Sequence, residues 1–194
     1  EETGMYGAFG LEPGTLQGKL LMNMDSEDFG ELYVGCAGGM DATIEWKYQG
    51  VALPVGDIAL KVNITGLKGG HSGLEINLGR ANANKLLFRF LKEAVSQYEA
   101  RLAKVEGGNM RNAIPREAYA IITVPAEARE DIEKLVEEYR DLFNEEYKVT
   151  ENPIIFTCEE VEAPEMLIPE EIQDDLINAV TACPNGVFRM IPAI

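Results

Sequence analysis

From Ile58 onward the hydrophobic residues change period in an order that leaves few folds open. Ile58, Leu60, Val62 and Ile64 alternate with Lys61, Asn63 and Thr65, a period of two that lines one face of a strand. Leu86, Leu87, Phe90, Leu91, Ala94, Val95 and Tyr98 then recur at helical spacing behind Asn82, a residue type that caps helix starts. Arg101 to Val105 and Ala118 to Val124 read as two further strands joined by GGNMRNAIPRE. Ile132, Leu135, Val136, Tyr139, Leu142 and Phe143 mark a second helix, and IIFTCEEVEA after Pro153 a fourth strand. Strand, helix, strand, strand, helix, strand is the split βαβ order. It predicts an α+β fold, a ferredoxin-like βαββαβ layer whose antiparallel sheet carries two helices on one face. A third helix is predicted from Glu170 to Ala182, with Ile172, Leu176, Ile177 and Val180 on one side. It follows Pro169 and is stopped by Pro184, Asn185 and Gly186.

The residues before this pattern read differently. GMYGAFGLEP is helix or turn, and KLLMNMD and LYVGCA are strands whose apolar runs need cover on both faces. They predict a small partial α/β sheet, incomplete by itself. TIEWKYQ, from Thr43, alternates again and reads as a half-buried strand. We therefore expect two parts, residues 1–43 and residues 44–194. The chain opens on Glu1 rather than Met and closes on an apolar stretch, so it is expected to be an internal fragment of a longer polypeptide.

With 33 Asp plus Glu against 17 Lys plus Arg, the net charge is −16, which repels nucleic acid phosphates and anionic membrane surfaces. No apolar run approaches the ~20 residues needed to span a bilayer. Neither a nucleic acid nor a membrane is an expected partner. Cys36, Cys158 and Cys183 are odd in number and widely spaced, which predicts reduced, mostly buried thiols and a cytoplasmic location.

Three stretches hold polar residues that packing does not require: Glu1 with Glu2, Asp25, and His71 in GGHSG. Successive side chains at a strand end alternate, so Glu1 and Glu2 cannot point the same way; one can bind a metal while the other faces its water. Asp25 closes an apolar run, where a carboxylate is costly unless a cation or donors neutralise it. By spacing alone, a solvated chain end and a turn or helix-cap aspartate are the favoured explanation of these residues. His71 is the only histidine. Gly69, Gly70 and Gly73 around it would let backbone approach a ligand, and a mobile imidazole can donate to a developing oxyanion. A surface turn is the competing reading.

EETGMYGAFGL, NMDSEDFGELYVGCAGG, GLKGGHSGLEINLGRANANKLL, GGNMRNAIPREA and PNGVFRM, in this order, resemble the bacterial aminoacyl-histidine (Xaa-His, carnosinase-like) dipeptidases. These are co-catalytic zinc peptidases with a lid inserted in the catalytic domain. The resemblance implies that residues 1–43 are part of a catalytic, metal-binding domain and residues 44–194 the first half of a lid. It implies that Glu1 is the general base, that Glu2 and Asp25 each hold one of two zinc ions, and that His71 stabilises the tetrahedral intermediate and helps hold substrate. Cobalt or manganese could replace the zinc. Asn112 is similar to a lid residue that contacts substrate; Arg111 and Arg116 are neighbours able to bind a carboxylate.

The implied substrate is a dipeptide and the implied assembly a homodimer of the full-length parent. The family's centre also needs histidines that this chain lacks, so the fragment alone is expected to be inactive, without an ordered pair of metal ions. The competing expectation is a ferredoxin-like binding or dimerisation module without catalysis. A relative that kept the fold and lost its metals is a third, disfavoured by the retained Glu1, Glu2, Asp25 and His71.

Overall fold

The computed structural model describes residues 5–24, 28–35 and 38–190. The chain divides into two compact units, Glu1–Glu45 and Trp46–Ile194.

In the first unit, helix α1 (Tyr6–Phe9) is the one regular element among the described residues. The strands expected in KLLMNMD and LYVGCA do not form there: Leu20, Leu21, Met22, Leu32 and Val34 are exposed. Their apolar character marks surface suited to burial, but a strand needs a hydrogen-bonded neighbour and this unit supplies none among its described residues. TIEWKYQ also lacks the expected strand; beyond it a single bridge joins Val51 to Leu167.

The second unit follows the predicted order. Strands β1 (Asp57–Thr65), β3 (Arg101–Gly107), β5 (Ala118–Pro125) and β6 (Ile155–Val161) form an antiparallel sheet in the order β3-β5-β1-β6. Strands β2 (Gly70–His71) and β4 (Ala113–Ile114) make a separate two-residue ladder. Helices α2 (Ala83–Tyr98) and α3 (Arg129–Glu146) supply the crossovers, and α4 (Glu170–Ala182) follows the last strand. The ferredoxin-like reading of the fold is borne out.

Period two decides which face of the sheet is wet. Leu60, Val62 and Ile64 point into the core, with Ile122, Ala120 and Ala118 opposite them in register on β5. On the alternate positions Lys61 and Lys104 flank the Tyr119 ring at 5.0 and 5.5 Å. Against the apolar face pack Leu86, Leu87, Phe90 and Leu91 of α2 and Ile132, Val136 and Phe143 of α3. Phe90 meets Phe156 edge-on at 5.1 Å and Tyr139 at 5.9 Å, tying both helices to β6. Burial and the hydrogen bond to Glu93 push the Tyr139 hydroxyl up to about 12.

Asn82 caps α2 as expected: its Oδ1 accepts the N–H groups of Asn84 and Lys85 at 3.0 and 3.3 Å. At the far end of the sheet the outer edge of β3 is covered. The buried Gln173 side chain accepts the Leu102 N–H at 2.6 Å, and the Ile168 N–H donates to the Leu102 carbonyl at 2.8 Å. With both its backbone groups bonded, Leu102 offers no template for another strand at that point of the edge. Helix α4 is held in turn by Lys85, whose Nζ donates to the carbonyls of Val180, Thr181 and Cys183 at 2.7, 2.9 and 2.6 Å.

The thiols depart from expectation in part. Cys158 on β6 is half-buried, and burial pushes its thiol up to about 11, but Cys183 is exposed just past the end of α4. The chain there has left the core, so nothing packs over it. Cys36 lies outside the described residues.

Candidate functional site

Between β1 and α2 the chain makes a loop, residues 66–82, that the βαβ crossover does not require. Its first part pairs with the loop between β3 and β5: Gly70 stands opposite Ile114 and His71 opposite Ala113. The Ser72 N–H then donates to the Asn112 carbonyl at 3.0 Å. Two segments forty residues apart in sequence are thus zipped together, and His71 and Asn112 come to line one groove of about 750 Å³.

The imidazole is oriented by its own turn. Its Nδ1 accepts the N–H groups of Gly73 and Leu74 at 3.0 and 3.1 Å. A nitrogen that accepts two bonds carries no proton, so the hydrogen-bond pattern assigns the neutral ring the Nε2–H tautomer. The side chain is exposed, and Nε2 is the ring's remaining donor toward a ligand in the groove. Below it, Glu75 Oε2 accepts the His71 N–H at 2.8 Å, and Glu75 Oε1 lies 2.9 Å from Arg80 Nη2. The His71 amide, and after it Arg80, hold the Glu75 carboxyl below the usual carboxylate range.

The groove wall is rich in donors for a chain of such negative charge. Lys68 and Arg116 line it beside His71 and Asn112; Arg111 does not. Lys68 Nζ is tied to the Thr150 carbonyl at 2.6 Å, while among the described residues no carboxylate pairs with Arg116. Glu106 also lines the groove, its carboxyl held below the usual carboxylate range by hydrogen bonds from Lys104 and Tyr119. An imidazole N–H, an amide and a guanidinium lining one groove are group types able to receive the oxygen atoms of an anion or a polarised carbonyl.

Glu1, Glu2 and Asp25 lie outside the described residues. Among the described residues there is no group of three or more His, Cys, Asp or Glu side chains placed to hold a metal ion. Of the expected site residues, the structure brings His71 and Asn112 together on one groove.

Sequence reasoning passed over three residues that build the loop. Glu75 and Arg80 clamp its inner turn, and Glu151 ties its two stems. Glu75 and Arg80 had a faint signal, opposite charges within ten residues of the histidine; Glu151 had none, since it lies 83 and 70 positions from its partners.

A ferredoxin-like layer with such a loop defines a recognisable class. The sequence model of a peptidase dimerisation domain, of the M20 type, matches residues 62–151. The chain is 42% identical over 189 residues to the cytosol non-specific dipeptidase of Escherichia coli (strain K12), covering 97% of this chain and 39% of that protein. It matches the crystal structure of aminoacylhistidine dipeptidase from Vibrio alginolyticus with a TM-score of 0.81 and 43% identity, over 100% of this chain and 40% of that one. The expected resemblance to the dipeptidases is upheld along nearly the whole chain, with the dimerisation-domain match falling on its ferredoxin-like part. The chain spans about two fifths of the length of these relatives.

Proposed function

We propose that the chain is part of a metal-dependent dipeptidase, with residues 1–43 contributing to the catalytic domain and residues 44–194 forming the first half of its lid. The observation that carries this reading is the His71 ring, held by two backbone amides so that an Nε2–H donor is presented at a groove shared with Asn112. A donor of this kind suits the oxygen of a peptide carbonyl, because charge grows on that oxygen as a nucleophile attacks. The similarity to two named dipeptidases supports the reaction class.

In this reading Glu1 takes a proton from the attacking water. Glu2 and Asp25 each help to hold one of two metal ions, zinc or in its place cobalt or manganese. Those ions would supply a water acidified enough to attack at neutral pH. His71 donates to the carbonyl oxygen, and Asn112 holds the substrate beside it. Because the donor pays off chiefly when the oxyanion exists, its effect belongs to turnover more than to binding. The substrate is a dipeptide of the Xaa-His type, acted on in the cytoplasm by a homodimer of the longer protein; the dimerisation-domain match supports the assembly. The 194-residue chain alone is inactive, since the remaining ligands are not in it.

The test is hydrolysis of an Xaa-His dipeptide by the longer protein before chelation, after it, and after zinc is restored. Activity that disappears and returns supports the reading. A zinc-loaded protein with no dipeptide turnover, but with self-association through this domain, would leave only a dimerisation module.

A further inference from the structure

One ion pair grips the backbone on both sides of Gly70. Glu75 Oε2 accepts the His71 N–H at 2.8 Å, while Arg80 Nη1 donates to the Gly69 carbonyl at 2.6 Å. The two side chains are joined to each other by Glu75 Oε1 and Arg80 Nη2 at 2.9 Å. Amide, carboxylate, guanidinium and carbonyl therefore close a ring around a single glycine. The Arg80 side chain is 21% exposed, so this is not a pair waving in solvent.

Gly70 is shaped to the pair. Its φ is +145°, and a Cβ there would stand 2.6 Å from Arg80 Nη1 and 2.8 Å from Glu75 Oε2. The missing side chain is the room in which the two charged groups sit. That replaces the expectation that this glycine opens space for a ligand.

We propose that the Glu75–Arg80 pair is a positioning device for His71, fixing the backbone at residues 69–71 so that Nδ1 turns onto the Gly73 and Leu74 amides and Nε2 carries the proton toward the groove. Either charged group alone would leave half of the ring open: without Glu75 the His71 N–H loses its acceptor, and without Arg80 the Gly69 carbonyl loses its donor. The carboxylate's depressed pKa agrees with a group that is used in its charged form. The functional weight of this inference rests on the role of His71 proposed above, while the orientation of the ring can be measured without it.

Because His71 is the only histidine, the 15N spectrum of the 194-residue chain contains one pair of imidazole nitrogen signals. At a pH where the ring is neutral, the wild-type chain is expected to show the Nε2–H tautomer. In Glu75→Gln and Arg80→Ala the two signals should move toward a tautomer mixture, with hydrogen exchange at Gly73 and Leu74 faster by about tenfold or more. Arg80→Lys, which keeps the charge but not the planar fork, should fall between. Core methyl signals of Leu60 and Ile122 should stay in place and certify the fold. Imidazole signals unmoved in all three variants would overturn the proposal. In the longer dipeptidase the same variants should lower kcat by about 10- to 100-fold with KM nearly constant. A ring that loses its tautomer while turnover stays whole leaves the positioning intact and removes His71 from the reaction.

Discussion

The Glu151 carboxylate accepts the Ala81 N–H with Oε1 at 2.9 Å, and its second oxygen accepts the Lys68 N–H at 2.8 Å. One side chain from the turn after α3 thereby closes both stems of the His71 loop. Ala81 is fully buried and Glu151 nearly so, which leaves water little chance of replacing the acceptor. Glu151→Ala should destabilise the chain by about 2–4 kcal/mol, the cost of stranding one buried and one part-buried amide that had a charged partner. Urea unfolding of the variant measures this; an unchanged midpoint would mean that the amides find another acceptor.

The oxyanion role proposed for His71 predicts a specific kinetic signature. In the longer protein His71→Ala should lower turnover by about 10²- to 10³-fold, the range for losing one such donor, with metal content unaltered. Metal analysis and steady-state kinetics on the same preparation check both halves. Turnover at the wild-type level would return His71 to the surface of a turn.

Acid should loosen the His71 turn late. The folded Glu75 carboxyl lies below its ordinary 4.5, so its stabilising contribution is present above that value and is lost as pH falls through the lower, folded one. The His71 amide signal should accordingly shift at a lower pH than the carboxyl signals of well-exposed glutamates. A shift at or above the ordinary glutamate range would show that the pair does not hold the carboxylate.

The C-terminal end of helix α4 is held by a single ammonium group. Lys85 Nζ spends all three of its protons on carbonyls at that helix end, which is also the negative end of the helix dipole. Lys85→Met keeps the stem and removes the donors; it should cost about 1–3 kcal/mol and speed amide exchange in the last turn of α4. Exchange unchanged in that turn would assign its stability to Ile177 and the core alone.

The two described thiols should be told apart by alkylation. Cys158, pushed up to about 11 from 9.0, carries roughly a hundredfold less thiolate at pH 8 than an ordinary cysteine. Cys183 is exposed. Iodoacetamide followed by peptide mapping should find Cys183 modified first, with the Cys158 rate rising about tenfold per pH unit between 8 and 10. Equal rates would mean that β6 opens readily.

The sheet was legible because Leu60, Val62 and Ile64 alternate with polar residues, and only one strand register buries all three. The helices were legible from the Asn82 cap and the spacing of Leu86, Phe90 and Ala94. Leu20 to Met24 and Leu32 to Val34 misled, since apolar runs report a need for burial and not the neighbour that meets it. The site was half legible. A histidine between glycines stood out, whereas the two-residue ladder that sets it beside Asn112 did not, and the room at Gly70 is clearance for Arg80 and Glu75 where clearance for a ligand is expected. Glu151 could not have been read at all, because acidic residues are common here and its partners are backbone amides, which have no letter in a sequence.

The covered edge of β3 gives the sheet a polarity. With Gln173 and Ile168 bonded to Leu102, the edge of β3 is taken at that residue, whereas among the described residues β6 has a strand on one side only. Were two copies to join edge to edge, the join would fall more readily at β6 than at the Leu102 end of β3, and an assembly that uses one edge of each copy stops at two.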